Sequence, residues 1–167
     1  MKGLLFEERE FPDNCIGCRT CELVCSFAHE ALINSEKARI RVVKEDRYGC
    51  SIPIVCIQCA SPTCVEACPV NAIGIEKDIV VVNEDTCIGC GACTRACPIG
   101  AIRIHPATGK AFKCDLCGGG VAECVSWCPR NVLRVRYHSE PRPTFDVAIA
   151  LADAITAVSR GEDGDGL

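Results

Sequence analysis

Cys87-Ile88-Gly89-Cys90-Gly91-Ala92-Cys93-Thr94-Arg95-Ala96-Cys97-Pro98 decides how the rest of this chain is read. Cysteine recurs twice at intervals of three, a fourth follows after four residues, and a proline ends the run. Three more groups with the same logic surround it: Cys15, Cys18, Cys21, Cys25; Cys56, Cys59, Cys64, Cys68; and Cys114, Cys117, Cys124, Cys128. The four groups take all but one of the 17 cysteines in 167 residues, leaving only Cys50 outside.

Thiols at these spacings form cradles for cubane iron-sulfur clusters, in which three close cysteines grip one cluster and the fourth reaches another. Residues three apart on a loop can aim their sulfurs at different iron atoms of one cubane. The last cysteine of each group lies about one helical turn beyond the third, which carries it toward a neighbouring site. Pro69, Pro98 and Pro129 follow it in three groups, where a fixed φ and a missing N–H stop the turn. The first group has Ser26 instead, which predicts different surroundings for Cys25. Gly17, Gly89, Gly91 and the triplet Gly118 to Gly120 let the backbone approach inorganic sulfide and donate N–H groups to it.

Other uses of so many cysteines fit less well. A tenth of a short chain as cysteine can signal a disulfide scaffold, but Met1 to Phe11 is mostly charged and has no apolar signal-peptide stretch. A reducing, cytoplasmic setting is therefore expected, where clustered thiols bind metal. Four-thiolate zinc sites normally use two C-x2-C pairs across a long spacer. Only the fourth group, with six residues between Cys117 and Cys124, leaves room for that alternative. The formal charge is −4, and four oxidised cubanes with their thiolates would take the loaded chain to about −12. Such a surface is a poor match for nucleic acid. No window reaches the ~18 apolar residues of a membrane span. With 5% aromatic residues a conventional core would be thin, so clusters are expected to form much of the interior and to be coupled to folding.

The connectors show which groups share a module. Val70 to Asn83 holds two β-rich runs around Lys77-Asp78, a hairpin. It joins groups two and three into an inner module at 51–97, bounded by a strand at Ser51 to Val55 and another at 101–105 shared at its edge. Groups one and four are left to form an outer module, 1–50 with 98–140, nested around the inner one. The short connector from Cys97 to Cys114 is also hairpin-like, with Ile102-Arg103-Ile104 and Lys110-Ala111-Phe112 around Pro106 to Gly109, so pairing of groups three and four remains open. Ala38 to Val43 alternates with period two and reads as a strand. Val147, Leu151, Ile155 and Val158 at helical spacing predict a docking helix over 141–160, and 161–167 reads as a disordered tail. The predicted fold class is α+β: two nested βαββαβ-type modules plus a C-terminal helix. Arg19, Arg95, Arg103, Arg134 and Arg136 read mainly as solvated charges near the cluster loops. His29 reads as a hydrogen-bonded structural histidine, Trp127 as packing on the outer module, and Cys50 as a plain thiol.

The segment from Cys68 to Cys87 resembles the centre of a bacterial two-cluster ferredoxin. Over about Asn14 to Val135 the chain resembles the four-cluster electron-transfer subunits of molybdenum and tungsten enzymes, such as those of dimethyl sulfoxide reductase, nitrate reductase and formate dehydrogenase. That resemblance implies four [4Fe-4S] clusters and a nested exchange of ligands. It assigns Cys15, Cys18, Cys21 and Cys128 to one cluster, and Cys114, Cys117, Cys124 and Cys25 to its neighbour. The inner pair would be Cys56, Cys59, Cys64 with Cys97, and Cys87, Cys90, Cys93 with Cys68. The stretch Cys15 to Glu30, followed by Ala38-Arg39-Ile40-Arg41-Val42, looks like the small subunits that accompany tungsten aldehyde oxidoreductases. A non-catalytic electron relay is implied, between a larger tungsten- or molybdenum-cofactor subunit and a flavin/NAD or ferredoxin acceptor. Hydrogenase, formate dehydrogenase or carbon monoxide dehydrogenase settings, and a free-standing polyferredoxin, are the alternatives. No acid-base pair, activated nucleophile or phosphate loop is evident.

Overall fold

The computed structural model describes residues 3–6, 15–45 and 50–136, with the single positions 153 and 156. In chain order the elements are β1 (Gly3–Phe6), α1 (Thr20–Glu30), β2 (Ile40–Glu45), β3 (Cys50–Val55), α2 (Thr63–Glu66), β4 (Ile73–Glu76), β5 (Ile79–Val82), α3 (Ala92–Ala96), β6 (Arg103–Ile104), β7 (Ala111–Phe112), α4 (Glu123–Ser126) and β8 (Leu133–Arg136). The eight strands form four separate two-stranded antiparallel ribbons: β1 with β8, β2 with β3, β4 with β5 and β6 with β7. The result is a small mixed fold in which short helices and ribbons frame the cysteine loops. The expected docking helix and tail fall almost entirely outside the described residues; Asp153 and Thr156 are helical and exposed.

The β4–β5 hairpin forms where its sequence predicts it. Lys77 and Asp78 at its tip have φ of 46° and 66°, the left-handed pair that a tight two-residue hairpin turn requires. Ile73 and Val80 are buried beneath it, at 3% and 1% exposure. The strand expected at 101–105 is shorter, and β6 pairs with β7 across the Pro106 to Gly109 turn. The strand before group two is present as β3, but all six of its residues pair with β2. The alternation of Ile40 and Val42 explains the preference, because β2 offers β3 a full-length apolar partner and two-residue β6 cannot. Cys50 opens β3 opposite Glu45. Buried Glu22 on α1 then accepts a hydrogen bond from Val42 N–H at 2.6 Å, which satisfies a polar group inside the core.

β1 is a strand that the sequence pattern does not predict. Its four residues lie against β8 in register from Gly3 opposite Arg136 to Phe6 opposite Leu133. Nothing local marks so short a strand beside charged residues; its partner is the far end of the described chain. The ribbon brings the flank of group one to the flank of group four.

Cysteines are part of the core instead of decorating it. Cys21, Cys25, Cys114 and Cys124 pack with Ile40, Val42, Val55, Leu116 and Leu133. Cys87 and Cys93 pack with Ile73, Val80, Ile102 and Ala111, and Ile52, Ile54, Ile57, Ile99 and Ala101 form a third cluster against Cys56, Cys59 and Cys97. Trp127, expected to pack on the outer module, lies beside its helices at the surface and is 61% exposed. Its indole N–H donates to Glu123, and with Leu23, Phe27 and Ile33 it lines an open apolar groove beside α1 and α4. Those apolar neighbours are themselves surface residues, so the ring has no interior to enter.

Candidate metal centres

Each cysteine loop uses the same backbone device. The residue before the second cysteine is Gly17, Gln58, Gly89 or Leu116, with φ of 62°, 55°, 69° and 58°. This left-handed bend costs a residue with a Cβ about 1–2 kcal/mol. At Gly89 there is no space either, since a Cβ there would lie 2.2 Å from the Gly109 carbonyl oxygen. Gly89→Ala is expected to distort the Cys87 to Cys93 loop and to lose about one site's share of iron, read by iron analysis of the anaerobically purified variant.

A second device follows the fourth cysteine. Asn71, Gly100 and Asn131, three residues beyond Cys68, Cys97 and Cys128, donate their N–H groups to those cysteines' carbonyls at 3.2–3.3 Å. All three have positive φ, at 51°, 62° and 52°. The turn that begins at proline points the next amide back at sulfur: Ala72 N–H donates to Cys68 Sγ at 3.2 Å and Ala101 N–H to Cys97 Sγ at 3.3 Å. Ala111 N–H and Leu116 N–H do the same for Cys87 and Cys114.

The first group departs from this, as Ser26 in place of proline foreshadows. Without the ring clash and lost N–H of proline, α1 runs on through Cys25 for 11 residues. Fully buried Ser26 donates to Leu23 O and accepts from Asn34 N–H. Cys25 Sγ accepts from Arg39 N–H at 3.2 Å. His29, one turn on, places Nδ1 2.8 Å from Cys25 O and Nε2 3.1 Å from Asp115, which Arg39 also holds at 2.7 Å. The hydrogen bond to Asp115, then that to Cys25, raises the His29 imidazole to about 10. Burial opposes ionisation of Asp115, yet His29 and Arg39 hold its carboxyl well below the usual range.

Three clefts gather twelve of the thiols. One cleft is lined by Cys15, Cys18, Cys21 and Cys128, with Pro129 at its edge. A second is lined by Cys56, Cys59, Cys64 and Cys97, with Pro98. A third holds Cys68 with Cys87, Cys90 and Cys93. Of the remaining four, Cys25 acts electrostatically on Cys117 and Cys124, while Cys114 is influenced by Cys56 as well as by Cys124. In each cleft three thiols come from one run and the fourth from another.

Burial pushes Cys21, Cys64 and Cys124 up to about 12 and Cys59 to about 11. Cys18 is lowered by hydrogen bonds from Thr20. Cys68 also falls: burial resists, but the amides of Val70, Ala72, Ile73 and Asn71 outweigh it. Four sulfurs per hollow, apolar walls and amides aimed at sulfur fit an iron-sulfur cubane. Among the described residues no three His, Cys, Asp or Glu side chains close on a single ion. Sequence reasoning misses two polar side chains near these sites: Gln58, whose signal is that it stands where the matching loops have Gly17 and Gly89, and Lys113, which follows β7 and has no signal in the motif spacing.

The chain matches two family models described as 4Fe-4S dicluster domains, over residues 55–101 and 79–129, and one described as a 4Fe-4S binding domain over 12–28. It is 48% identical to the aliphatic sulfonate oxidoreductase polyferredoxin-like subunit of Pyrococcus furiosus, over 70% of this chain and 68% of that protein. The chain belongs to the 4Fe-4S ferredoxin-like subunits of oxidoreductases. This ferredoxin-like subunit is also 35% identical to a subunit of the anaerobic dimethyl sulfoxide reductase of Escherichia coli, over 71% of its own length and 67% of that subunit. Among solved structures it resembles a component of the active site complex BamBC of benzoyl coenzyme A reductase, with a TM-score of 0.50 and 25% identity, covering 93% of this chain and 89% of that one. As a ferredoxin-like subunit it is an iron-sulfur electron-transfer protein. No helix among its described residues is long and apolar enough to cross a membrane.

Proposed function

We propose that the chain is a non-catalytic relay that holds four [4Fe-4S] clusters in two nested modules, with the ligand exchange implied by the resemblance. The observation that carries this reading is that three clefts each hold three thiols of one run completed by a cysteine from another. Each cubane, when bound, supplies a one-electron couple. The chain's own residues grip iron through thiolate, place amide N–H donors against sulfur, and surround the sites with apolar side chains that exclude water. Sulfurs lining hollows, instead of meeting at one ion, favour cubanes over zinc at the three sites built around a cleft.

The electrons pass between a larger tungsten- or molybdenum-cofactor subunit of aldehyde oxidoreductase type and an external flavin/NAD or ferredoxin acceptor, in the cytoplasm. A second reading of the partner, an oxidoreductase acting on aliphatic sulfonates, is favoured by the 48% identity with the Pyrococcus furiosus subunit. Anaerobic purification from the native host tests both. The expected material carries about sixteen irons per chain and brings down a larger tungsten- or molybdenum-containing subunit, whose activity on aldehydes or on sulfonates separates the readings. A colourless, zinc-loaded protein would refute the relay.

A further inference from the structure

Lys113 is a buried charge with no part in gripping iron. It is 3% exposed. Its ammonium donates to Val80 O and to Cys114 O, and among the described residues no carboxylate lies within ion-pairing distance of it. An unpaired ammonium in an apolar interior is strongly unfavourable unless negative charge lies close by.

The negative charge available is that of the metal sites on either side. Lys113 lines the cleft of Cys56, Cys59, Cys64 and Cys97. Its other side is bound to the backbone of Cys114, in the set with Cys25, Cys117 and Cys124. Gln58 fixes this position. It is fully buried, accepts from Val80 N–H at 2.8 Å and donates to Cys114 O at 3.0 Å. The two carbonyls that receive the ammonium therefore belong to residues that Gln58 ties together. Gln58 does this from a left-handed backbone conformation, and such strain persists only where the surroundings over-determine it.

We propose that Lys113 is a fixed cation shared by these two neighbouring metal sites, raising the reduction potentials of both relative to the other two. The inference rests on the four-cluster reading. A positive charge in low dielectric stabilises the more negative, reduced form of whatever cluster it faces. Gln58 acts through Lys113 as a positioning residue.

Reductive titration of the anaerobic holoprotein, followed by electron paramagnetic resonance, tests the proposal with K113M, K113Q and K113R. With iron content unchanged, K113M and K113Q are expected to move two of the four couples to lower potential and leave two in place, while K113R keeps the parent pattern. None moved, one moved or four moved together overturns the proposal. Iron lost from the two neutral variants but kept in K113R supports the need for a cation there. Iron lost from K113R as well overturns it, because shape and not charge would then govern the position. A parent with far fewer than about sixteen irons sinks the four-cluster reading and this inference with it. A full parent with unmoved couples in the neutral variants sinks this inference alone.

Discussion

Chelation of iron from the anaerobic holoprotein will abolish its cooperative thermal transition and most of its strand signal in circular dichroism. The apolar clusters are small and joined only by short ribbons, and Cys21, Cys25, Cys87, Cys93, Cys114 and Cys124 are themselves core residues. Emptying the sites leaves hollows in that core. For small zinc domains a structural metal contributes about 10–16 kcal/mol, whereas whole domains are stable by only ~5–15 kcal/mol, so four sites dominate the balance. A chelated chain that still melts cooperatively would refute this.

The same prediction has a direction in pH. Thiols of the metal-free chain are mostly protonated at neutral pH, with an ordinary pKa of about 8.5, and burial raises Cys21, Cys64 and Cys124 to about 12 and Cys59 to about 11 wherever the folded surroundings persist. Iron binds thiolate, so loading expels those protons and the loaded state carries fewer of them. Lower pH therefore favours the unloaded state, by a factor of about ten per released proton per pH unit. Cluster loss to a chelator is expected to be faster at pH 6 than at pH 8, followed by bleaching of the visible absorbance.

Replacing Cys128 is expected to damage the site of Cys15, Cys18 and Cys21, at the opposite end of the described chain, and to spare the three cysteines of its own run. All four line one cleft. Cys25 lies correspondingly with Cys117 and Cys124. C128A should lose about a quarter of the iron if each of four sites holds one cubane. A double variant separates nested from tandem exchange. C128A with C15A should lose no more than either alone, because both open the same cradle. C128A with C117A should lose two sites' worth. A two-site loss from C128A with C15A would refute the nested exchange, and a one-site loss from C128A with C87A would establish pairing of groups three and four instead.

The cysteine runs make most of this legible, because ligand spacing is a local property. The β4–β5 hairpin is equally readable, since its alternation and its turn occupy adjacent residues. Ser26 marks the odd environment at Cys25, although not its content: the Asp115 that holds His29 is 86 residues away. β1 is not readable, because its strand partner among the described residues, β8, lies far away in sequence. The β2–β3 pairing is hidden because period-two patterning identifies a strand without naming its neighbour. Gln58 has a signal, a glutamine where Gly17 and Gly89 stand in the matching loops. Lys113 has none; one lysine beside a cysteine run gives no sign that it lies beneath the surface.

The ribbon of residues 3–6 against 133–136 bears on biosynthesis. A cradle walled by Cys15, Cys18 and Cys21 cannot close until Cys128 has been translated, whereas the sets built from Cys56 to Cys97 are complete much earlier. Assembly factors delivering iron to the nascent polypeptide would therefore meet the middle of the molecule first. The outer compartments, which wait for the run from Cys114 to Cys128, would be filled after the inner ones.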